Sequence, residues 1–89
     1  MRSSKLHMAI TARLNAQYNI CRHNNYDWYL HIRHDNKTVF AIVRMYKNAI
    51  YADRRPFGPI PSKQTLIVHY EDPEMFDKLC EFLDEARDA

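Results

Sequence analysis

Five histidines, two cysteines and a run that alternates rings with cations are the residues of this sequence whose types could do chemistry. A metal centre needs three or four convergent N, S or O donors. His31 and His34 lie three apart at a strand end and point to opposite faces, whereas Cys21 and His23 share a face without two further ligands nearby in sequence. Neither pair makes a centre. With one Gly in 89 residues, Gly-rich phosphate loops are excluded, and neither a serine nucleophile elbow nor a zinc-protease histidine pair is present. What remains for an enzyme is proton transfer: His31 and His69 as acid and base, with Tyr29 and Arg33 at a phosphate, would compose a small nuclease. No spacing demands that arrangement, so no catalytic residue, metal ligand or cofactor is assigned.

Binding chemistry is better represented. Tyr29, His31 and Arg33 alternate along one stretch, and Phe40, Ile42, Arg44 and Tyr46 along another. Rings flanked by guanidinium groups can anchor a protein partner in a desolvated patch. They can also stack bases and neutralise phosphates. A second candidate is Arg54-Arg55-Pro56-Phe57, a pair of cations and a ring on a Pro-stiffened segment, suited to a phosphate or a carboxylate.

These residues are useful only if the fold holds them on one surface. Asp35 and Asn36 tolerate the backbone of a two-residue hairpin turn, and they separate the apolar-aromatic runs 26–33 and 38–47. With those two as the bend, Ile32 pairs with Val39, Leu30 with Ala41, Trp28 with Val43 and Tyr26 with Met45, which makes one face apolar throughout. The other face pairs Arg33 with Thr38, His31 with Phe40, Tyr29 with Ile42, and Asp27 with Arg44 as an ion pair. A third strand over 65–70 is apolar on both sides and is expected to be central or well covered.

Two helices complete the reading. Ser3 or Ser4 caps the first, over about residues 4–17, with Leu6, Ala9, Ile10 and Leu14 as its stripe. Asp72-Pro73 starts the second, which buries Met75, Leu79, Phe82, Leu83 and Ala86 and turns its many acids to water. The stretch 19–25 is a connection able to form a short edge strand, and 48–64 reads as turn chemistry. The expected fold is therefore α+β, in the order α-β-β-β-α. It has a three-stranded antiparallel sheet, the central hairpin at 26–47 and both helices on the Trp28 face. That element order is shared with double-stranded RNA-binding domains, which carry a Lys-rich motif at the start of the second helix. Here that helix opens Asp72-Pro73-Glu74 and stays acidic, so the likeness ends at element order.

Composition bounds the rest. Hydrophobic residues make up 46% and charged residues 27%, ordinary for one globular domain spanning residues 1–89. No apolar run is long enough to cross a bilayer and no signal-peptide block follows the first residues, so a cytoplasmic setting is expected. Cys21 and Cys80 read as free thiols. Residues 1–47 carry a net charge of +6 and residues 48–89 a net −4, which gives the domain a basic and an acidic side.

The function expected on these grounds is non-enzymatic binding, of the regulator or inhibitor type that phages and mobile elements encode. The open sheet face and the Arg54/Arg55/Phe57 segment would engage a macromolecule, a protein ahead of a nucleic acid. Self-association as a homodimer through the same face is a further expectation.

Overall fold

The computed structural model describes residues 5–89, so the Ser3/Ser4 cap lies outside the described residues. Seven elements follow one another: α1 (Lys5–Asn15), β1 (Asn19–Arg22), β2 (Tyr29–Arg33), β3 (Val39–Met45), β4 (Ala49–Arg54), β5 (Thr65–His69) and α2 (Met75–Asp88). The strands form one antiparallel sheet in the order β1-β2-β3-β4-β5, so every connection within it is between neighbours.

The α+β class holds, but the sheet has five strands where the sequence predicts three. The optional edge strand at 19–22 is real. The larger correction is β4, which occupies six residues of the segment read as turns. Its two alanines and the Arg-Arg-Pro that follows weaken its strand signal. Tertiary pairing nonetheless holds it between β3 and β5, with Ala49, Ile50, Ala52 and Asp53 all buried. Insertion of β4 moves β5 from the predicted centre of the sheet to its edge.

The hairpin register also differs. Leu30 pairs with Val43 and Ile32 with Ala41, two residues away from the predicted partners. The bend is longer than Asp35-Asn36 alone: His34 N–H donates to Thr38 O at 2.9 Å, and Asp35 Oδ1 accepts from Lys37 N at 2.7 Å. A slip of two residues preserves which side chains share a face, because the strand period is two. Leu30, Ile32, Ala41, Val43 and Met45 thus remain on the buried face as expected. Between Ile32 and Arg33 the pairing skips Phe40, a bulge that turns this residue away from the alternation. Asp27 is displaced too, and pairs with Arg22 at 3.2 Å, not with Arg44.

Both helices contribute to one core against the Leu30/Ile32 side of the sheet. Ile10 and Leu14 of α1 and Leu79 and Leu83 of α2 join Val43, Met45 and Ile50 in a continuous apolar cluster. α1 is rotated from its predicted stripe. His7 is buried and Leu6 is exposed, because His7 Nε2 lies 3.1 Å from the Tyr70 hydroxyl, which in turn donates to Tyr46 O at 2.6 Å. In α2, Phe76 is buried in the place expected for Met75 and Phe82, both of which are half-covered. Tyr26 is 46% exposed and stacks on Trp28 with ring centroids 5.2 Å apart.

α2 begins at Met75 with Glu74 in the N-cap position, so the predicted Asp72 cap and Pro73 first turn are corrected to a turn that precedes the helix. Asp72 Oδ1 accepts from Glu74 N at 2.9 Å and its Oδ2 pairs with Lys78 Nζ at 2.6 Å. The Tyr18 hydroxyl, donated to Asp84 Oδ1 at 2.7 Å, ties the end of α1 to α2. Burial and that carboxylate hold the Tyr18 phenol well above its ordinary pKa, so it stays a donor. No helix among the described residues is long and apolar enough to cross a membrane.

Candidate functional site

With both helices on one side, the other face of the sheet is left without a helical cover. The pairing lays its side chains out in rows across the strands. Cys21, His31, Ile42, Asp53 and Thr65 form one row, and Tyr29, Arg44, Tyr51 and Ile67 the next. Arg33 stands opposite Asn19 at the β1–β2 end. Tyr29, His31, Arg33, Arg44 and Tyr46 are all half-buried, as residues flanked by other side chains on a sheet surface should be.

The rings and cations of this face hold one another. Arg44 Nη2 donates to the Tyr29 hydroxyl at 3.0 Å while its guanidinium carbon sits 4.7 Å from the centre of the same ring. His23, in a short turn after β1 where Asn24 and Asn25 take left-handed backbone angles, brings its ring to 4.4 Å from Tyr29 and 4.7 Å from His31. Asn tolerates those angles better than other side-chain-bearing residues, which is what lets the turn be so tight. Tyr46 meets Tyr51 edge-on at 5.1 Å.

Electrostatically the cluster is unbalanced. Arg33 Nη2 donates to Asn19 Oδ1 at 3.1 Å, but its Nε is buried with no hydrogen-bond partner among the described residues, and so is Nη1 of Arg44. No ion pair among the described residues joins either guanidinium to a carboxylate. Asp53, the one acid on the strands of this face, is 2% exposed and accepts from Thr65 Oγ1 at 3.1 Å. The acids of α2 lie on the opposite side of the domain, as the charge segregation of the sequence predicts.

Burial lowers the pKa of His31 below its ordinary 6.5, and His23, Arg33 and Arg44 around it push in the same direction. The ring is therefore neutral at pH 7. Because the unfolded chain binds a proton near pH 6.5 more readily than the folded one, His31 contributes stability above that pH and loses it as the solution is acidified. Urea denaturation at a series of pH values is expected to show stability falling below about pH 6.5. His31→Gln should flatten that fall, and an unaltered profile in this variant would remove His31 as its source.

Three predicted site residues are placed elsewhere. Phe40 is 3% exposed, turned by the bulge into the core and against His34 with ring centroids 4.7 Å apart, so it is not on the open face. Arg54 belongs to β4 and points to the helix side, where its Nε donates to Gln64 Oε1 at 3.0 Å and its guanidinium lies 5.9 Å from the Phe82 ring. Arg55 points away from it and donates to Val39 O at 2.7 Å. Arg54-Arg55 is therefore no double cation. Phe57 is 38% exposed, with the Arg55 guanidinium 5.5 Å from its ring.

The nuclease constellation is not assembled, since His31 on β2 and His69 on β5 are three strand spacings apart, about 14 Å. Among the described residues no three His, Cys, Asp or Glu side chains converge as a metal site. Both cysteines are free, and burial pushes the Cys80 thiol above its ordinary pKa. Conversely, sequence reasoning missed His23, Tyr51 and Ile67 on the open face. Tyr51 and Asp53 alternate with Ala52, a strand signal that the neighbouring Pro-rich segment obscured.

The fold and this face define an α+β domain with a meander sheet whose cation-rich face carries no helix. Comparisons with protein-family models, with curated proteins and with solved structures find no match.

Proposed function

We propose that this chain is a small non-enzymatic binding protein, a regulator or inhibitor in type, that docks a protein partner with acidic side chains on its open sheet face. The observation that carries this reading is the pair of guanidinium groups, Arg33 and Arg44, held among rings with buried N–H groups that no described residue satisfies. A buried donor left unpaired costs about 1–3 kcal/mol, and a partner's carboxylate that displaces the side chains covering these groups would recover it.

A protein is favoured over single-stranded nucleic acid because the rings are already occupied. Base stacking needs free ring faces. Tyr29 is engaged by both Arg44 and His23, and Tyr46 by Tyr51, which makes a pre-organised patch and not a stacking platform. Rigid aromatic and Arg anchors of this kind carry most of the energy at protein interfaces.

The test is affinity capture with the full chain followed by mass spectrometry, repeated after nuclease treatment. The reading expects a partner that survives nuclease and moderate salt and is lost with Tyr29→Ala. Capture that vanishes with nuclease, or affinity for RNA or DNA that falls steeply with salt, would replace the protein partner by nucleic acid.

A further inference from the structure

The sheet has two edges, and they are treated differently. β1 is four residues long, carries Arg22 paired with Asp27, and runs into the turn at Asn24 and Asn25. β5 reads Thr65-Leu66-Ile67-Val68-His69, an uncharged and largely β-branched strand with no Pro and no bulge. Edge strands usually carry one of those devices because bare edges recruit other strands. Ile67 is moreover 40% exposed.

The backbone phase of β5 can be read from its partner. Arg54 N–H donates to Gln64 O at 3.2 Å, so residues 64, 66 and 68 turn their amides toward β4 while Thr65, Ile67 and His69 turn theirs to the free edge. Two of those six outward groups are closed by local turns: Thr65 N–H donates to Ser62 O at 3.1 Å, and His69 O accepts from Asp72 N at 3.1 Å. Left over are Thr65 C=O, Ile67 N–H, Ile67 C=O and His69 N–H. No hydrogen bond among the described residues reaches them. Two donors and two acceptors, placed symmetrically about Ile67, form a self-complementary set.

We propose that two copies of this chain pair their β5 strands antiparallel about a two-fold axis at Ile67. Ile67 N–H and C=O then exchange hydrogen bonds with the Ile67 of the second copy. His69 N–H meets the second copy's Thr65 C=O, and the reciprocal bond completes four. On the helix side Leu66 faces Val68 of the second copy, and on the open side the two Ile67 side chains meet. The set is its own complement under the two-fold axis, which is what a second copy brings and an arbitrary strand does not, and β5 carries no Lys, Arg, Asp or Glu to set the two copies against each other.

An axis of this kind stands perpendicular to the sheet, so the two open faces look the same way and join into one ten-stranded surface. The inference does not depend on what that surface binds.

Sedimentation of the full chain over micromolar to high-micromolar concentrations tests it, with circular dichroism to confirm the fold of each variant. The expected result is a monomer–dimer equilibrium. Ile67→Lys should weaken it by about tenfold or more. Met8→Ala, on the exposed side of α1, should leave it unchanged. A chain that sediments as a monomer throughout overturns the proposal, as does a dimer that a folded Ile67→Lys leaves intact. Should Ile67→Lys fail to fold, hydrogen exchange of the parent chain decides: Ile67 and His69 amides that exchange no more slowly at high-micromolar than at low-micromolar concentration overturn it equally.

Discussion

Leu30→Ala is expected to lower the unfolding free energy by about 3–4 kcal/mol, the largest single effect on stability among the substitutions considered. Leu30 is fully buried, paired with Val43 on one side and Arg22 on the other, and lies under the helices in the same apolar cluster as Leu14 and Leu79. Truncation removes its transfer free energy and leaves a cavity whose walls belong to strands held on both sides, so the site collapses poorly. An apolar cavity of that size stays dry and recovers nothing from water. A domain of 89 residues has a total stability of about 5–13 kcal/mol, so a quarter or more of it is lost. The midpoint of thermal unfolding should fall by about 12–32 °C. Leu30→Met separates packing from mere hydrophobicity, since it keeps the volume and should cost less than about 1.5 kcal/mol. Equal losses in the two variants would mean that a cavity is not the cause.

That core was legible in the sequence to the extent that periodicity alone decides it. Leu30 and Ile32 alternate with Tyr29, His31 and Arg33, and Ala41, Val43 and Met45 keep the same phase across the hairpin; phase survives a slip of two residues, so the face was right although every predicted pair was wrong. What sequence could not show was the bulge. Phe40 sits in phase with Ile42, and only the loop closed by Asp35 on Lys37 and Thr38 forces the extra residue that turns its ring inward. β4 was hidden for a different reason. Ala49, Ala52 and Asp53 have low intrinsic strand preference, and what holds them extended is pairing on both sides, a tertiary effect absent from local propensity. Its omission also concealed Tyr51 and sent Arg54 to the wrong side. At the candidate site, Tyr29, His31, Arg33 and Arg44 were recoverable because they belong to strands with clear alternation. His23 was not, because its approach to Tyr29 depends on two consecutive left-handed asparagines.

Arg44→Met gives the sharpest separation of binding from folding. The aliphatic part of Arg44 covers the sheet beside Tyr29, and a Met thioether fills similar space against a ring. The substitution removes the Nη2 hydrogen bond to Tyr29, about 1 kcal/mol, but it also removes a desolvated cation with a buried and unpaired Nη1. The two effects oppose each other and the second is the larger. Stability measured in urea should therefore stay level or rise by about 1 kcal/mol. Binding should move the other way. A carboxylate that had satisfied Nη1 would be stranded against an apolar surface, a loss of about 2–5 kcal/mol and hence at least about thirtyfold in affinity. Arg44→Lys should recover little of it, because a single ammonium cannot bond Tyr29 and a planar anion together as the guanidinium fork does. Residues retained at a cost to their own fold are the ones whose benefit lies outside it. If Arg44→Met bound the captured partner as tightly as the parent chain, the unpaired guanidinium would have no role in recognition and the open face would lose its anchor.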